Sequence, residues 1–300
     1  ARSQRPAGTH RVRAPQATVI IALTTIGTLG GLAESALPSL DKLASGKDKP
    51  LTTAASWAMH KMRPIGITLI AEYDTNLITR IDAAGKATKR EGLKEPFDVE
   101  LLPNDNYLVV EYGAHRVCEL DAKGKLVWEY TKLNQPLDAD ALPNGNILIV
   151  ERASKQVIEV TRKGDVVWTF KHEGQAPQDA DRLANGNTLI SYSTEGLVIE
   201  VDPSGKVVWK LSGFKMPSDA DRLANGNTLL ASSEEHLVRE VDPMGNTVMK
   251  IDIGEMFSDA DRLPNGHTLV ATNSAVVEFD AKGKECWRRP ADYAGGVSRH

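Results

Sequence analysis

An eleven-residue phrase, DADRLANGNTL, stands at residues 179–189 and again, unchanged, at residues 219–229. Related phrases start at Asp138 (DADALPNGNIL), at Asp259 (DADRLPNGHTL) and, more loosely, at Asp98 (DVELLPNDNYL), so the five starts lie 40, 41, 40 and 40 residues apart. A degenerate copy from Met59, MHKMRPIGITL, keeps Pro64, Gly66 and Thr68-Leu69 but neither acid. Each copy is followed by a second shared phrase, such as LDAKGKLVW or VDPSGKVVW. Six units thus cover roughly residues 56–290. A fixed period of this length restricts the chain to a solenoid, a propeller or an array.

Local signals choose among these. Short apolar runs (Thr188 to Ile190, Leu197 to Val201, Lys206 to Leu211) are bounded by Asn-Gly and Pro-Ser-Gly turns, which is strand and hairpin chemistry, and no window in the repeats holds a helical period. Forty residues hold four short strands, DADRL, TLISY, LVIEV and KVVWK in the fourth unit. The spacing therefore predicts an all-β, six-bladed β-propeller of four-stranded blades, DADxL innermost and VVW outermost, whose closed ring leaves no long exposed edge. A 41% hydrophobic content in 300 residues is enough for such a core.

The N-terminus reads as a separate object. Residues 1–35 carry Arg2, Arg5, Arg11 and Arg13 ahead of a twenty-residue uncharged stretch, Ala14 to Ala33, and the small residues Ala33 and Ser35 occupy the −3 and −1 places for cleavage before Ala36. This is the pattern of a signal peptide or an N-terminal membrane anchor, with association through residues 14–33; a buried apolar tail is the third reading. Residues 36–55 read as a linker and 56–300 as the propeller. The expected location is periplasmic or extracellular. Without the four arginines the chain holds 32 basic against 40 acidic residues, a balance of −8 that excludes a phosphate-tracking nucleic-acid binder.

Six internal copies allow a comparison within one chain: what every blade keeps serves folding, and what one blade alone has can serve function. By that test the repeated acids Asp98, Glu100, Asp138, Asp140, Asp179, Asp181, Asp219, Asp221, Asp259 and Asp261 are structural. Residues two apart on a strand face the same way, so ten carboxylates line up in five blades and cannot all stay charged and unpaired. They are expected to accept hydrogen bonds from turn N–H groups or from a neighbouring blade, with Arg182, Arg222 and Arg262 as ion partners; a ring of cation ligands is the alternative. Trp128, Trp168, Trp209 and Trp287, replaced by Met249 and Lys89 in units 5 and 1, are expected to pack between blades. Cys118 and Cys286 read as small buried residues without a bridge, and His115, His172 and His236 as surface residues.

Symmetry breaks just after the second strand, where the units read Glu72, Glu111, Glu151, Tyr192, Ser232 and Thr272, and one place further on Tyr73, Tyr112, Arg152, Ser193, Ser233 and Asn273. These loops gather at one mouth of the channel. Glu72, Tyr73, Glu111, Tyr112, Glu151, Arg152 and Tyr192 are therefore the candidate ligand-binding residues, and the three glutamates the candidate metal ligands, for a cation or a basic, partly apolar ligand.

The blade phrases DADxLPNGNTL and xExDPxGKVVW resemble the repeats of pyrroloquinoline-quinone-like and arylsulfotransferase-like propellers, and the likeness covers nearly everything after residue 55. In quinoprotein dehydrogenases that resemblance implies eight blades, a channel cofactor and calcium; six units depart from it. In arylsulfotransferases it implies a channel histidine. No histidine follows the Asp-Ala-Asp frame in that way, and His60, standing where other units have Ala or Val, is expected to face away from the acids. Near-identical blades without a nucleophile–base pair point to a non-catalytic, extracytoplasmic propeller that binds or scaffolds a protein partner or small ligand. Two alternatives stay open: a calcium-dependent six-bladed enzyme of lactonase or lyase type, and a sulfotransferase or quinone-type redox enzyme. No cofactor is firmly implied, and calcium is the candidate for the first of these.

Overall fold

The computed structural model describes residues 37–47, 49–62 and 66–299. The apolar stretch 14–33 and the cleavage site before Ala36 lie outside the described residues, as does the side chain of His60. Among the described residues no helix is long and apolar enough to cross a membrane.

Within the stretch read as linker the chain forms helix α1 (Leu37–Ala44), followed by α2 (Lys49–Met62). Leu40 of α1 and Ala54, Ala55 and Ala58 of α2 are buried. The three alanines fall on one face at helical spacing, and Ala is the strongest helix former. The helix α2 takes in Met59 to Met62, so the degenerate first copy contributes no inner strand.

Six four-stranded sheets follow. Blade 1 holds β1 (Thr68–Glu72), β2 (Leu77–Ile81) and β3 (Ala87–Arg90). Blade 2 runs β4 (Pro96–Leu101), β5 (Tyr107–Glu111), β6 (Arg116–Leu120), β7 (Leu126–Tyr130), and blade 3 runs β8 (Pro136–Ala141), β9 (Ile147–Glu151), β10 (Gln156–Val160), β11 (Val166–Phe170). Blade 4 is β12 (Asp179–Arg182), β13 (Thr188–Tyr192), β14 (Leu197–Val201), β15 (Val207–Ser212). Blade 5 is β16 (Pro217–Arg222), β17 (Thr228–Ser232), β18 (Leu237–Val241), β19 (Thr247–Asp252), and blade 6 is β20 (Phe257–Arg262), β21 (Thr268–Thr272), β22 (Ala275–Phe279), β23 (Glu285–Pro290). All neighbours pair antiparallel, with the Asp-Ala-Asp strand first and the Trp strand last, as the period predicts.

The innermost strand of blade 1 comes from the other end of the chain. β24 (Ala294–Arg299) pairs with β1, placing Val297 opposite Ile70 and Ser298 opposite Leu69, and lies between β20 and β4. One strand from each end therefore shares a sheet, and the ring closes through backbone hydrogen bonds. The second strand of every blade is buried at all five positions. Continuous apolar runs there reflect a sheet covered on both faces by its neighbours.

Polar latches join the blades at fixed places. Trp128, Trp168 and Trp209 donate their indole N–H to the carbonyls of Arg162, Pro203 and Pro243, each in the outer turn of the next blade, at 2.9, 3.1 and 2.9 Å. The sequence also repeats a third-strand glutamate, whose role only the structure makes plain. Glu159 and Glu200 each accept from two asparagines of their own inner turn, Asn144 and Asn146, and Asn185 and Asn187. They are paired from the next blade by Arg182 and Arg222, both at 2.9 Å. Arg262 meets Glu240 at 3.1 Å. In blade 3, where Ala141 replaces the arginine, Arg162 reaches Glu119 from the outer turn instead. The arginines after the acid pairs therefore bind glutamates of the preceding blade rather than the neighbouring aspartates, because adjacent strand residues point to opposite faces. Arg182 and Arg222 also lie over the Trp168 and Trp209 rings, at 4.9 and 4.4 Å.

Candidate functional site: the channel and its mouth

The first acid of each pair reaches forward to the next blade. Asp138, Asp179 and Asp219 accept the backbone N–H of Ala180, Ala220 and Ala260, at 3.2, 3.2 and 3.1 Å. Asp98 accepts from Val99 at 2.7 Å and from Ala139 at 3.4 Å, and Asp259 accepts from Val297 at 2.8 Å. Among the second acids, Glu100 accepts from Ala141 at 2.9 Å, and Asp140, Asp181, Asp221 and Asp261 are engaged with neighbouring groups. The expectation of hydrogen bonds from a neighbouring blade is met by an N–H of the innermost strand, the one group each blade offers at that height.

These carboxylates still converge. Burial, then Asp221, Asp179, Asp259 and Asp181 hold Asp219 well above the usual carboxylate range. Asp98, Asp138 and Asp179 are raised the same way, by burial first and the other ring aspartates after it. Burial pushes Asp259 up to about 6, against the pull of Val297 N–H and of Asp219. Asp259 of blade 6 acts on Asp98 of blade 2 and Asp179 of blade 4, so the acids meet across the axis. Oxygen donors of this kind suit a hard cation such as calcium. The ring is nonetheless interrupted in blade 1. Val297 takes the alanine place, so Gly296 and Ser298 stand where the acids would be, and Ser298 Oγ donates to the Val99 carbonyl at 3.1 Å.

At the end of the channel where the innermost strands begin, the local backbone aims a second set of side chains. The register of blades 2, 3, 5 and 6 skips one residue between the first strand residue and the first acid, which makes Phe97, Leu137, Ser218 and Ser258 bulge residues. The residue before the innermost strand kinks in blades 2, 3, 5 and 1: Glu95, Gln135, Met216 and Tyr293 have φ of 48, 54, 49 and 36°. Their carbonyls accept the N–H of Tyr112, Arg152, Ser233 and Tyr73, at 3.0, 3.1, 3.0 and 3.2 Å. Each inter-strand loop is thereby tied to the base of an innermost strand.

A cavity of about 250 Å³ results, lined by Tyr73, Asp74, Phe97, Tyr112, Leu137, Arg152 and Tyr293. Tyr73 stands at its centre, 6.1 Å from Phe97, 6.0 Å from Tyr112 and 5.7 Å from Tyr293 between ring centroids. Three of the six tyrosines of the chain meet here. Burial and a hydrogen bond to the Glu95 carboxylate push the Tyr73 hydroxyl up to about 12, so it remains a donor at neutral pH. The same places in blades 4 to 6 hold Ser193, Ser233 and Asn273, with Gln178, Ser218 and Ser258 at the bulge position. Half of the mouth is aromatic and half is small and polar.

The structure thus brings Tyr73, Tyr112 and Arg152 together, and adds Phe97, Leu137, Tyr293 and Asp74. The bulge position was readable in the sequence as the residue before each first acid, where Phe97 and Leu137 contrast with Gln178, Ser218 and Ser258. Glu72, Glu111 and Glu151 lie one residue back and are buried at 5, 1 and 2% exposure. Glu111 accepts from the Lys94 N–H at 2.8 Å and pairs with Arg116 at 2.5 Å. Glu151 accepts from the Asn134 N–H at 2.8 Å and from Ser154 and Gln156, and Glu72 accepts from Thr79. These acids hold the loops that carry the pocket. Tyr192 is buried in the core beside His172, 5.6 Å away. His115 Nδ1 accepts the Gln135 N–H at 3.2 Å. Cys118 is buried, and burial with the Glu111 carboxylate raises its thiol to about 12, whereas Cys286 is exposed on an outermost strand, contrary to expectation, because its side chain faces out of the ring.

The repeat family described as outer membrane protein assembly factor BamB, of the pyrroloquinoline-quinone-like propellers, matches residues 74–240, more than half of the chain. The chain belongs to this family. That match carries the quinone-like half of the resemblance and leaves the arylsulfotransferase half unsupported. Among solved structures, a protein of unknown function from Bacteroides caccae is 17% identical with a TM-score of 0.67, over 77% of this chain and 97% of that one. A streptogramin B lyase is 12% identical with a TM-score of 0.59, over 77 and 83%, and a virginiamycin B lyase from Staphylococcus aureus 13% identical with 0.55, over 78 and 88%. Identities this low show a shared ring and no shared reaction. No curated protein matches the chain.

Proposed function

We propose that this chain is a non-catalytic propeller outside the cytoplasm that uses the aromatic half of its channel mouth to hold a protein partner through a basic side chain. The observation that carries this reading is the pocket of Tyr73, Phe97, Tyr112 and Tyr293, which breaks a symmetry that the rest of the ring keeps. Its 250 Å³ falls below the roughly 300 to 1,000 Å³ of cavities that enclose small molecules. An open recess of that size suits one anchor side chain of a larger partner. Aromatic faces attract a cation, and Asp74 stands at the rim. Leu137 supplies an apolar wall for the stem of a lysine or arginine. Support for a place outside the cytoplasm comes from the family described as an outer membrane protein assembly factor and from the N-terminal stretch 14–33.

A photo-crosslinking residue at position 112, on the aromatic side, is expected to trap one protein partner in cells of the native host. The same residue at position 233, on the hydroxyl side, is expected to trap little of it. The yield at position 112 should fall as salt rises, since an exposed cationic contact is screened over roughly 10 Å at 0.1 M. Equal trapping at both positions, or none at 112, would sink the proposal.

A further inference from the structure

Blade 6 departs from the repeat at two places that meet in space. The last residue of the inner turn is Asn106, Asn146, Asn187 and Asn227 in blades 2 to 5 and His267 in blade 6. The second residue of the outermost strand is Val127, Val167, Val208 and Val248 in blades 2 to 5 and Cys286 in blade 6. Between them stands Glu278, the third-strand glutamate that blades 2 to 6 share. His267 Nδ1 lies 2.6 Å from Glu278 Oε1 and 3.7 Å from Cys286 Sγ. One nitrogen, one carboxylate oxygen and one sulfur thus fall within 4.8 Å of one another.

We infer that His267, Glu278 and Cys286 form a zinc-binding site on the outer part of blade 6, separate from the channel and its mouth. The donor set decides the metal: thiolate and imidazole favour a borderline divalent ion over calcium or magnesium, which take oxygen ligands. Zinc bond lengths near 2.3 Å to sulfur and 2.0–2.1 Å to nitrogen place tetrahedral N and S ligands roughly 3.6 Å apart. The His267–Cys286 separation already matches that edge. The histidine–carboxylate edge has to open by less than about 1 Å, as the metal replaces the proton these groups share. On binding, the neutral imidazole carries its proton on Nε2, the proton of the Cys286 thiol is released to solvent, and no redox change is involved. Cys286 is exposed, so the fourth position is open to water.

Three parts of one blade would be stapled in this way. His267 closes the inner turn, Glu278 lies in β22 and Cys286 in β23, beside the sheet that closes the ring.

The test uses the full chain without an affinity tag, stripped of metal and titrated with Zn²⁺ and, as a spectroscopic probe, Co²⁺. One equivalent of each is expected to bind, and the cobalt form should show a thiolate-to-metal charge-transfer band with tetrahedral d–d absorption. His267→Asn and Cys286→Val install the residues that other blades carry at the same places, so both variants should keep the fold by circular dichroism. Each is expected to bind at least ~10-fold more weakly, the lower end of what a shell partner alone contributes, and Cys286→Val should lose the charge-transfer band. Failure of the wild-type chain to bind one equivalent overturns the site. Binding without the thiolate band, or unchanged in both variants, places the metal elsewhere and overturns it equally.

Discussion

A chain ending at Tyr293 is expected to lose its cooperative thermal transition. Removing β24 takes from β1 the partners of Thr68, Leu69, Ile70 and Glu72. It leaves a fully buried strand with an open edge toward the channel. Asp259 loses the Val297 N–H, its closest backbone donor across the seam, and Ser298 no longer reaches Val99. Ala294 and Val297, now 1 and 4% exposed, leave the core. A single lost hydrogen bond is worth about 1 to 3 kcal/mol when its partner stays buried. Losing a whole strand compares instead with the entire stability of a domain, about 5 to 15 kcal/mol. The expected readout is a broad, non-cooperative melt with dye-binding apolar surface and aggregation through the open edge.

Gly295→Val is a graded form of the same experiment. A Cβ at Gly295 would stand 2.5 Å from the Phe97 carbonyl oxygen and 3.1 Å from the carbonyl carbon, all backbone atoms of the neighbouring blade. Neither backbone can yield without moving β24 from β4. The variant should lower the melting temperature while keeping a cooperative transition, since overpacking of this kind costs about 1 to 3 kcal/mol. A shortened chain that melts within a few degrees of the full one would show that blade 1 closes by some other means.

How these features were written in the sequence differs from one to the next. The period, the strand order and the inner and outer placement are legible because the phrase recurs nearly letter for letter from Asp98 to Trp287. The closing strand hides because its Gly296 and Ser298 replace the two acids that mark every other copy, so AGGVSR shares only its final arginine with DADR. The partners of Arg182 and Arg222 follow from strand alternation, which sets them back to back with the acids they adjoin in sequence. At the mouth, the contrast between Tyr73, Tyr112 and Arg152 and their hydroxyl counterparts is visible in the chain. The depth of Glu111 and Glu151 is not, because it depends on loop amides of Lys94 and Asn134 contributed from seventeen residues before. Phe97 joins the pocket through a bulge, and a bulge shifts facing by one residue where a plain period-two reading keeps it.

The channel acids give the second large effect, and its sign depends on pH. Asp219 is held above its ordinary range by burial and by Asp221, Asp179, Asp259 and Asp181, so the folded chain binds protons there that the unfolded chain releases. A carboxyl raised in this way stabilises fully below its unfolded value, near 3.8, and that contribution is lost as pH rises through the folded value, which for the neighbouring Asp259 is about 6. Exposed turn acids work oppositely. Asp121, Asp202, Asp242 and Asp280, lowered chiefly by backbone or side-chain donors of their own turns, stabilise above their ordinary range and lose that contribution as pH falls. The two trends together place maximum stability on the acid side of neutrality, between about pH 4 and 6, with a decline toward pH 8. Asp219→Asn keeps an oxygen for the Ala260 N–H but carries no charge. It is expected to match or exceed the wild-type melting temperature at pH 8 and to flatten the decline. Asp219→Ala removes the acceptor as well, and should lie about 1 to 3 kcal/mol below Asp219→Asn at every pH because the Ala260 N–H is left buried and unpaired. Melting curves of the three proteins from pH 4 to 8 separate charge from hydrogen bonding. Wild-type stability that climbs steadily from pH 5 to 8, or an asparagine variant that falls with the alanine one at pH 8, would mean that the channel holds its carboxylates ionised at no net penalty, through a bound cation or through donors that reach both oxygens.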